Sequence, residues 1–423
     1  MKGFIIKGSF IDCESPDRIR VCENGFLPVI DGLCRDIAPV VPERYQGLDV
    51  TDYGDCLILP GMTDLHVHAP QFSFRGLGMD LELLDWLNTY TFPEEAKYRD
   101  PAYAEEAYGL FVKALVHSTT TRAAIFATIH PAATLGLMEQ LEQTGLRTFV
   151  GKVNMDRNCP DSLREPDAEA AIAETERWIQ EAGSRFVQTK PILTPRFIPT
   201  CSDALMEGLK ILQKRYNLPL QSHLSENYAE IAWVRELSPA SACYAAAYES
   251  FGLFGGDHPC IMAHCVHSTD EELELIRRNN VYIAHSPESN MNLASGAAPV
   301  SRYLELGLNV GLASDVAGGS SLSMLQAMMH AIQVSKLRWR LLDSSIRPLT
   351  LEQAFYLATV GGGSFFGKVG RFADGYEFDA VVLNDRSLCH PQPLDPRSRL
   401  ERAVYLSDDR NIAAKYVAGK KIL

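Results

Sequence analysis

Eight times between residues 61 and 365, a short apolar or β-branched run is followed by a longer, mixed stretch. The runs lie at 63–68, 120–129, 148–155, 186–193, 218–224, 260–265, 281–285 and 309–314. Helical patterns occupy intervals such as 102–116, 168–181, 203–216, 271–278 and 322–335. Runs this apolar suit strands buried on both faces, as in a parallel sheet covered by crossover helices. Eight such units predict a (β/α)8 TIM barrel over 61–365. A barrel of that size is one unit, although 423 residues would allow two or three average domains.

The ends have a different texture. Phe4–Ile6, 26–30 and 56–59 are short apolar runs broken by Gly, Asp, Pro and Glu, and 379–383, 403–406 and 416–418 repeat the pattern. Both ends therefore read as strands, predicting one small β-sandwich domain from 1–60 plus 366–423. Lys and Arg number 40 against 53 Asp and Glu, a net charge of −13, which argues against a nucleic-acid partner. No run of about 20 apolar residues predicts a membrane span, and Lys7 interrupts the first apolar run too soon for a secretory signal. The ten cysteines are scattered without a C-x-x-C pair, as expected of free thiols in the cytoplasm.

Chemistry concentrates at the ends of the predicted strands. In Thr63-Asp64-Leu65-His66-Val67-His68 the two histidines are two residues apart, so on a strand both face one side. Two imidazoles there form half of a Zn²⁺ or Fe²⁺ site, or a pair of satisfied buried polar groups. His223 ends the fifth run, His264 the sixth, and Asp315 follows the eighth. Barrel active sites are built at the C-terminal ends of the strands, so these residues are predicted to converge there. Glu226, three residues after His223, suits a proton shuttle and equally a carboxylate in the first turn of a helix. Gly362-Gly363-Ser364-Phe365-Phe366-Gly367-Lys368 approaches a phosphate loop, but Val369 replaces the hydroxyl that would hold Mg²⁺. Those glycines read as helix packing and a turn. The H-x-E…P-C-x-x-C pattern of the other zinc deaminases is absent.

The whole pattern resembles the amidohydrolase superfamily, and within it the guanine deaminases. The resemblance rests on five stretches: 60–71, 84–87 with 90–93, 194–197, 221–227 and 315–319. It implies one Zn²⁺ per subunit, held by His66, His68, His223 and Asp315, with Fe²⁺ also compatible. His264 would ligate the metal or hydrogen-bond its water. Gln71, Arg196 and Phe197 match positions that bind the purine. An Arg fork suits the adjacent O6 and N7 acceptors of guanine, an amide donates and accepts at once, and a phenyl ring packs on the purine.

The implied reaction is hydrolytic deamination of guanine to xanthine and ammonia by attack of activated water at C2. Asp315 would take the water proton, Glu226 would protonate N3, and His264 would stabilise the attacking oxygen. Relatives suggest a homodimer acting on a small-molecule purine, with no nucleic acid or membrane partner. Two departures stand out: Ser286 and Glu288 replace the usual Cys and Asn, and Ala313-Ser314 replaces Gly-Thr. Glu288 is expected to bear on the charge of the pocket. The alternatives are an aminohydrolase of cytosine, a pterin, a triazine or another amino-purine, and a non-catalytic barrel acting as a binding partner. In a two-metal variant Lys190 would bridge the ions; otherwise it is structural.

Overall fold

The computed structural model describes residues 3–423. Seventeen strands are present among them. At the N-terminus lie β1 (Gly3–Ser15), β2 (Arg18–Ile30), β3 (Leu33–Cys34) and β4 (Val50–Pro60). The middle contains β5 (Met62–His68), β6 (Thr120–Phe126), β7 (Arg147–Gly151), β8 (Val153–Asn154), β9 (Thr189–Pro191), β10 (Thr194–Pro195), β11 (Leu220–Leu224), β12 (Cys260–His264), β13 (Tyr282–His285) and β14 (Asn309–Leu312). The chain closes with β15 (Ala380–Leu383), β16 (Ile412–Val417) and β17 (Lys420–Lys421).

Two four-stranded parallel sheets, β5-β6-β7-β9 and β11-β12-β13-β14, carry the middle of the chain. They join edge to edge on both flanks. On one flank Leu193 bridges Leu220 in parallel. On the other the Asp315 N–H donates to the His66 carbonyl (2.9 Å) and the His68 N–H to that of Val316 (3.0 Å). Every residue of β5, β6 and β12 is buried, which explains their continuous apolar runs. Leu65, Ala124, Ile261, Ala263, Ala284 and Ala313 form a separate buried cluster against Phe365 and Phe366. The four alanines among them let opposing strands approach and leave room at the strand ends for larger groups. Helices separate the strands, among them Pro101–His117, Pro131–Thr144, Ala168–Arg185, Asp203–Tyr216 and Met324–Leu341.

The ends of the chain build one seven-stranded sheet in the order β17-β16-β15-β4-β1-β2-β3. Alternation assigns its faces: Ala380 and Val382 pack with Ile6, Phe10, Leu27 and Phe378, while Val381 and Leu383 join the main core. Arg122 on β6 fastens this sheet to the middle, donating from Nε and Nη2 to both oxygens of Asp379 (2.8 and 3.1 Å). Lys415 on β16 donates to the carbonyls of Leu115, Ser118 and Thr120 (3.1, 2.8 and 2.6 Å).

The run 403–406, expected as a strand, is the end of the helix Pro396–Leu406. The Asp395 side chain caps its N-terminus by accepting from the Ser398 N–H, and Pro396 occupies its first turn. Leu400, Ala403 and Val404 are buried at helical spacing, so an apolar run at the end of a helix face passes for a strand when read alone.

Candidate functional site

Strand ends bring the predicted residues together. His66 and His68 point the same way from β5, with their Nε2 atoms 3.1 Å apart. His223 Nε2, from β11, lies 3.3 Å from that of His68. Asp315 Oδ1 is 3.1 Å from His66 Nε2 and 3.6 Å from His68 Nε2, and Oδ2 is 3.7 Å from His264 Nε2 on β12. His66, His223 and His264 form one group able to hold a metal ion, and His66, His68 and Asp315 a second. The backbone at or just beyond three of these strands is unusual. Ser225, His264 and Asp315 have φ of 47°, 74° and 46°, left-handed values that non-glycine residues adopt at a cost and that concentrate at functional sites.

The protonation states suit a cation. Burial lowers His66 and pushes His68 and His223 well below the ordinary imidazole value, with neighbouring imidazoles adding to the effect on both. Asp315 is held below the ordinary carboxylate value: burial opposes this, but His66 and His264 outweigh it. Neutral imidazoles and an ionised carboxylate are the donor set a divalent metal requires. Supporting bonds orient the rings. His223 Nδ1 donates to the Arg196 carbonyl (2.6 Å), turning its bare Nε2 towards the cluster, and His264 Nδ1 lies 2.9 Å from Asn290 Oδ1. His264 differs from the other rings. Burial would lower its pKa, but Glu226 and Asp315 raise it overall.

Glu226 enters from the turn after β11. Its Oε2 is 3.4 Å from His264 Nε2, and its Oε1 accepts from the Ser295 hydroxyl (3.1 Å). Burial is the main cause that raises its pKa to about 7, so it gains and loses a proton easily near neutrality. Glu230 receives the Glu226 N–H (3.1 Å) and the Tyr244 hydroxyl (2.7 Å), fixing that turn.

Gln71, Arg196 and Phe197 line the same pocket as His68, His223, Glu226, His264 and Asp315. Trp86 and Leu87 add an apolar wall. Phe197 packs edge-on against Trp233 with centroids 6.2 Å apart. Glu95, which sequence reading missed, joins the two polar readers: it accepts from Arg196 Nη1 (2.6 Å) and Gln71 Nε2 (3.0 Å). It follows Thr91-Phe92-Pro93, where an acidic residue in a first helical turn is unremarkable.

Asp64 also carries more than its sequence suggested. It accepts from the His66 N–H (3.2 Å) and from the N–H and hydroxyl of Ser314 (3.0 and 2.5 Å), bracing β5 against the segment that presents Asp315. The Ser314 departure thus retains a bonding hydroxyl. Glu288 does not line the pocket: it accepts from the Ser320 hydroxyl (2.5 Å) and lies 3.7 Å from His330. Its expected influence on the pocket is replaced by local pairing. Lys190 is exposed in a different cavity with Arg122 and Arg147, away from the histidines, so it bridges no ions in their cluster. His285 is buried outside the pocket lining, its pKa lowered to about 3 chiefly by burial.

The chain is similar to known proteins along most of its length. A guanine deaminase of Dictyostelium discoideum is 40% identical over 88% of this chain and 84% of its own length. A guanine deaminase of Escherichia coli is 33% identical over 99% of this chain and 97% of its own. A crystal structure of guanine deaminase from C. acetobutylicum, with guanine bound in its active site, superposes with a TM-score of 0.97 at 47% identity, covering both chains fully. Residues 57–422 match the amidohydrolase family, whose span takes in every residue of this pocket, and the chain belongs to that family.

Proposed function

We propose that this chain is a metal-dependent hydrolase that converts guanine and water to xanthine and ammonia. One observation carries the reading: four imidazoles and Asp315 form two groups that share His66, at a pocket that also holds Glu226, Arg196, Gln71 and Phe197. The guanine deaminases similar to it along nearly the whole chain support the choice of substrate. Residues 61–365 are read as a (β/α)8 catalytic barrel, and 1–60 plus 366–423 as the small β domain. A homodimer in the cytoplasm completes the reading, and light scattering in solution tests the dimer.

His66, His68, His223 and Asp315 would hold the metal, which is read as Zn²⁺. When bound, such an ion acts as a Lewis acid that lowers the pKa of water from 15.7 to about 7. Phe197 packs on the purine ring, and the free donors of Arg196 address O6 and N7. Gln71 retains one amide hydrogen and one lone pair for the ring, because Glu95 and the Ala317 N–H engage the others. Asp315 Oδ2 takes a proton from the attacking water, whose oxygen adds to C2. His264 Nε2, between Glu226 and Asp315, hydrogen-bonds that oxygen. Glu226 Oε2 delivers a proton to N3 as charge builds there. The C2–N bond then breaks: the amine leaves as ammonia with the proton that Asp315 took, and the proton still on the added oxygen returns to Glu226 as the C2 carbonyl forms.

Purified protein incubated with guanine is expected to release one ammonia per xanthine formed, with one zinc per chain by elemental analysis. Faster ammonia release from cytosine, a pterin or a triazine than from guanine overturns the substrate. Iron in place of zinc revises only the metal.

A further inference from the structure

The polar end of the pocket is organised around a group that makes none of the contacts expected of a catalytic residue. Glu95 is 1% exposed, and its two oxygens are divided between two side chains from distant parts of the chain. One accepts from Gln71, 24 residues before it, and the other from Arg196, 101 residues after it. Gln71 is held at its other end too, since its Oε1 accepts from the Ala317 N–H (3.2 Å), two residues beyond Asp315. Arg196 is 3% exposed and stacks over Phe92 at 5.2 Å. It is the only Arg or Lys among the described residues lining the pocket. A guanidinium so deeply buried attracts any anion strongly unless a carboxylate balances it.

We propose that Glu95 is a positioning residue that sets substrate charge preference: by holding Gln71 and cancelling the charge of Arg196, it makes the pocket take a neutral carbonyl-bearing ring and reject an anionic one. This rests on the purine reading above. Geometry is one half of the effect. Glu95 fixes which Arg196 nitrogen is spent, so the remaining donors meet O6 and N7 in a set direction. Charge is the other half. With Glu95 present, the Arg196–Glu95 pair is neutral, and a ring carrying its own negative charge must be desolvated without gaining an unpaired cation.

The test compares the wild type with Glu95→Gln, which preserves shape and removes the charge. Bound metal and thermal midpoint are measured first. The guanine KM is expected to rise about tenfold or more, with a smaller fall in kcat, because ring binding is disturbed more than the reacting centre. Binding of two purines is then measured by calorimetry: urate, an anion near neutral pH, and hypoxanthine, a neutral ring with the same O6 and N7 edge. In the variant urate should tighten about tenfold and hypoxanthine weaken. Constants that move in parallel, or not at all, overturn the proposal. Should Glu95→Gln not fold, the double variant Glu95→Gln/Arg196→Gln removes both charges. With the net charge there still zero, urate is expected not to tighten over the wild type while hypoxanthine weakens for want of the guanidinium, and a tenfold gain for urate overturns the proposal. Wild-type protein that releases no ammonia from guanine defeats the activity reading alone, because the binding comparison still judges Glu95. Failure of both rings to bind the wild type overturns the proposal and leaves the activity to the ammonia assay.

Discussion

Burial determines what each ionisable group of the pocket can do. It keeps His68 and His223 neutral, and it brings Glu226 to about 7, where a carboxyl both gives and takes a proton. Glu226→Gln retains size and hydrogen bonding but loses that exchange. Its ammonia release from guanine is expected to fall roughly 10²-fold or more. Metal content by elemental analysis should stay at the wild-type level, since Glu226 is outside both metal-holding groups. His223→Ala should lose metal and activity together, because its Nε2 belongs to the cluster itself. The His-x-His pair was legible in the sequence because a strand repeats every two residues, and strand-end placement pointed to His223, His264 and Asp315. Glu95 and Asp64 were not legible as site residues. Each acts through partners remote in the chain, Arg196 for one and Ser314 for the other, and no local spacing encodes such a pairing.

Elements are held by contacts that their own sequences do not announce. Lys415 reaches from β16 to three carbonyls around the end of the helix Pro101–His117 and the start of β6. Lys415→Met leaves those carbonyls without their donor and is expected to cost roughly 2 kcal/mol or more in denaturant unfolding. A pH dependence accompanies it. Burial is the main cause that lowers this lysine from 10.5 to about 7. Between those values the unfolded chain binds a proton that the folded chain lacks, and the folded amine serves two of the three carbonyls with its two remaining hydrogens, so stability contributed at this position rises with pH. The gain is at most about tenfold in the folding constant per pH unit, and it vanishes in Lys415→Met. Gly361 shows close packing of another kind: a Cβ there would lie 2.3 Å from the Val310 carbonyl oxygen of β14. Gly361→Ala should therefore lower stability by about 1–3 kcal/mol, measured by thermal unfolding. Glycines in this stretch were legible as packing residues once the phosphate-loop pattern failed at Val369. Pro396–Leu406 was misread because an apolar run at its end hid the wider helical spacing, while its cap at Asp395 was the signal that would have corrected it.

Over the whole molecule, the parallel strands and the mixed sheet form neighbouring layers with a shared core. Ile11, Leu57 and Val381 of the terminal strands belong to the same buried cluster as Leu115 and Met328 of the middle. Arg122 and Asp379 join them through a buried bidentate pair. Arg122→Leu strands Asp379 without its cation, and a loss of roughly 3–5 kcal/mol is expected in equilibrium unfolding. Removing metal with a chelator should abolish ammonia release and lower the thermal midpoint, both recovering when Zn²⁺ is restored, because an ion that binds only the folded state stabilises it. The parallel strands were legible at this scale because short apolar runs recur through the middle of the chain, and their composition agrees with burial on both sides. The single hydrogen-bonded sheet shared by the two ends was less so. Composition alone marks both ends as β-rich without saying which strand lies beside which.

Strand β4 ends at Pro60 and finds its neighbour β15 only at Ala380. On a ribosome, that edge waits with its amides and carbonyls unpaired while the intervening chain is made. For the duration of synthesis the nascent protein carries an open template for mispairing. Chaperone demand and yield at high expression should therefore depend on how fast translation reaches β15.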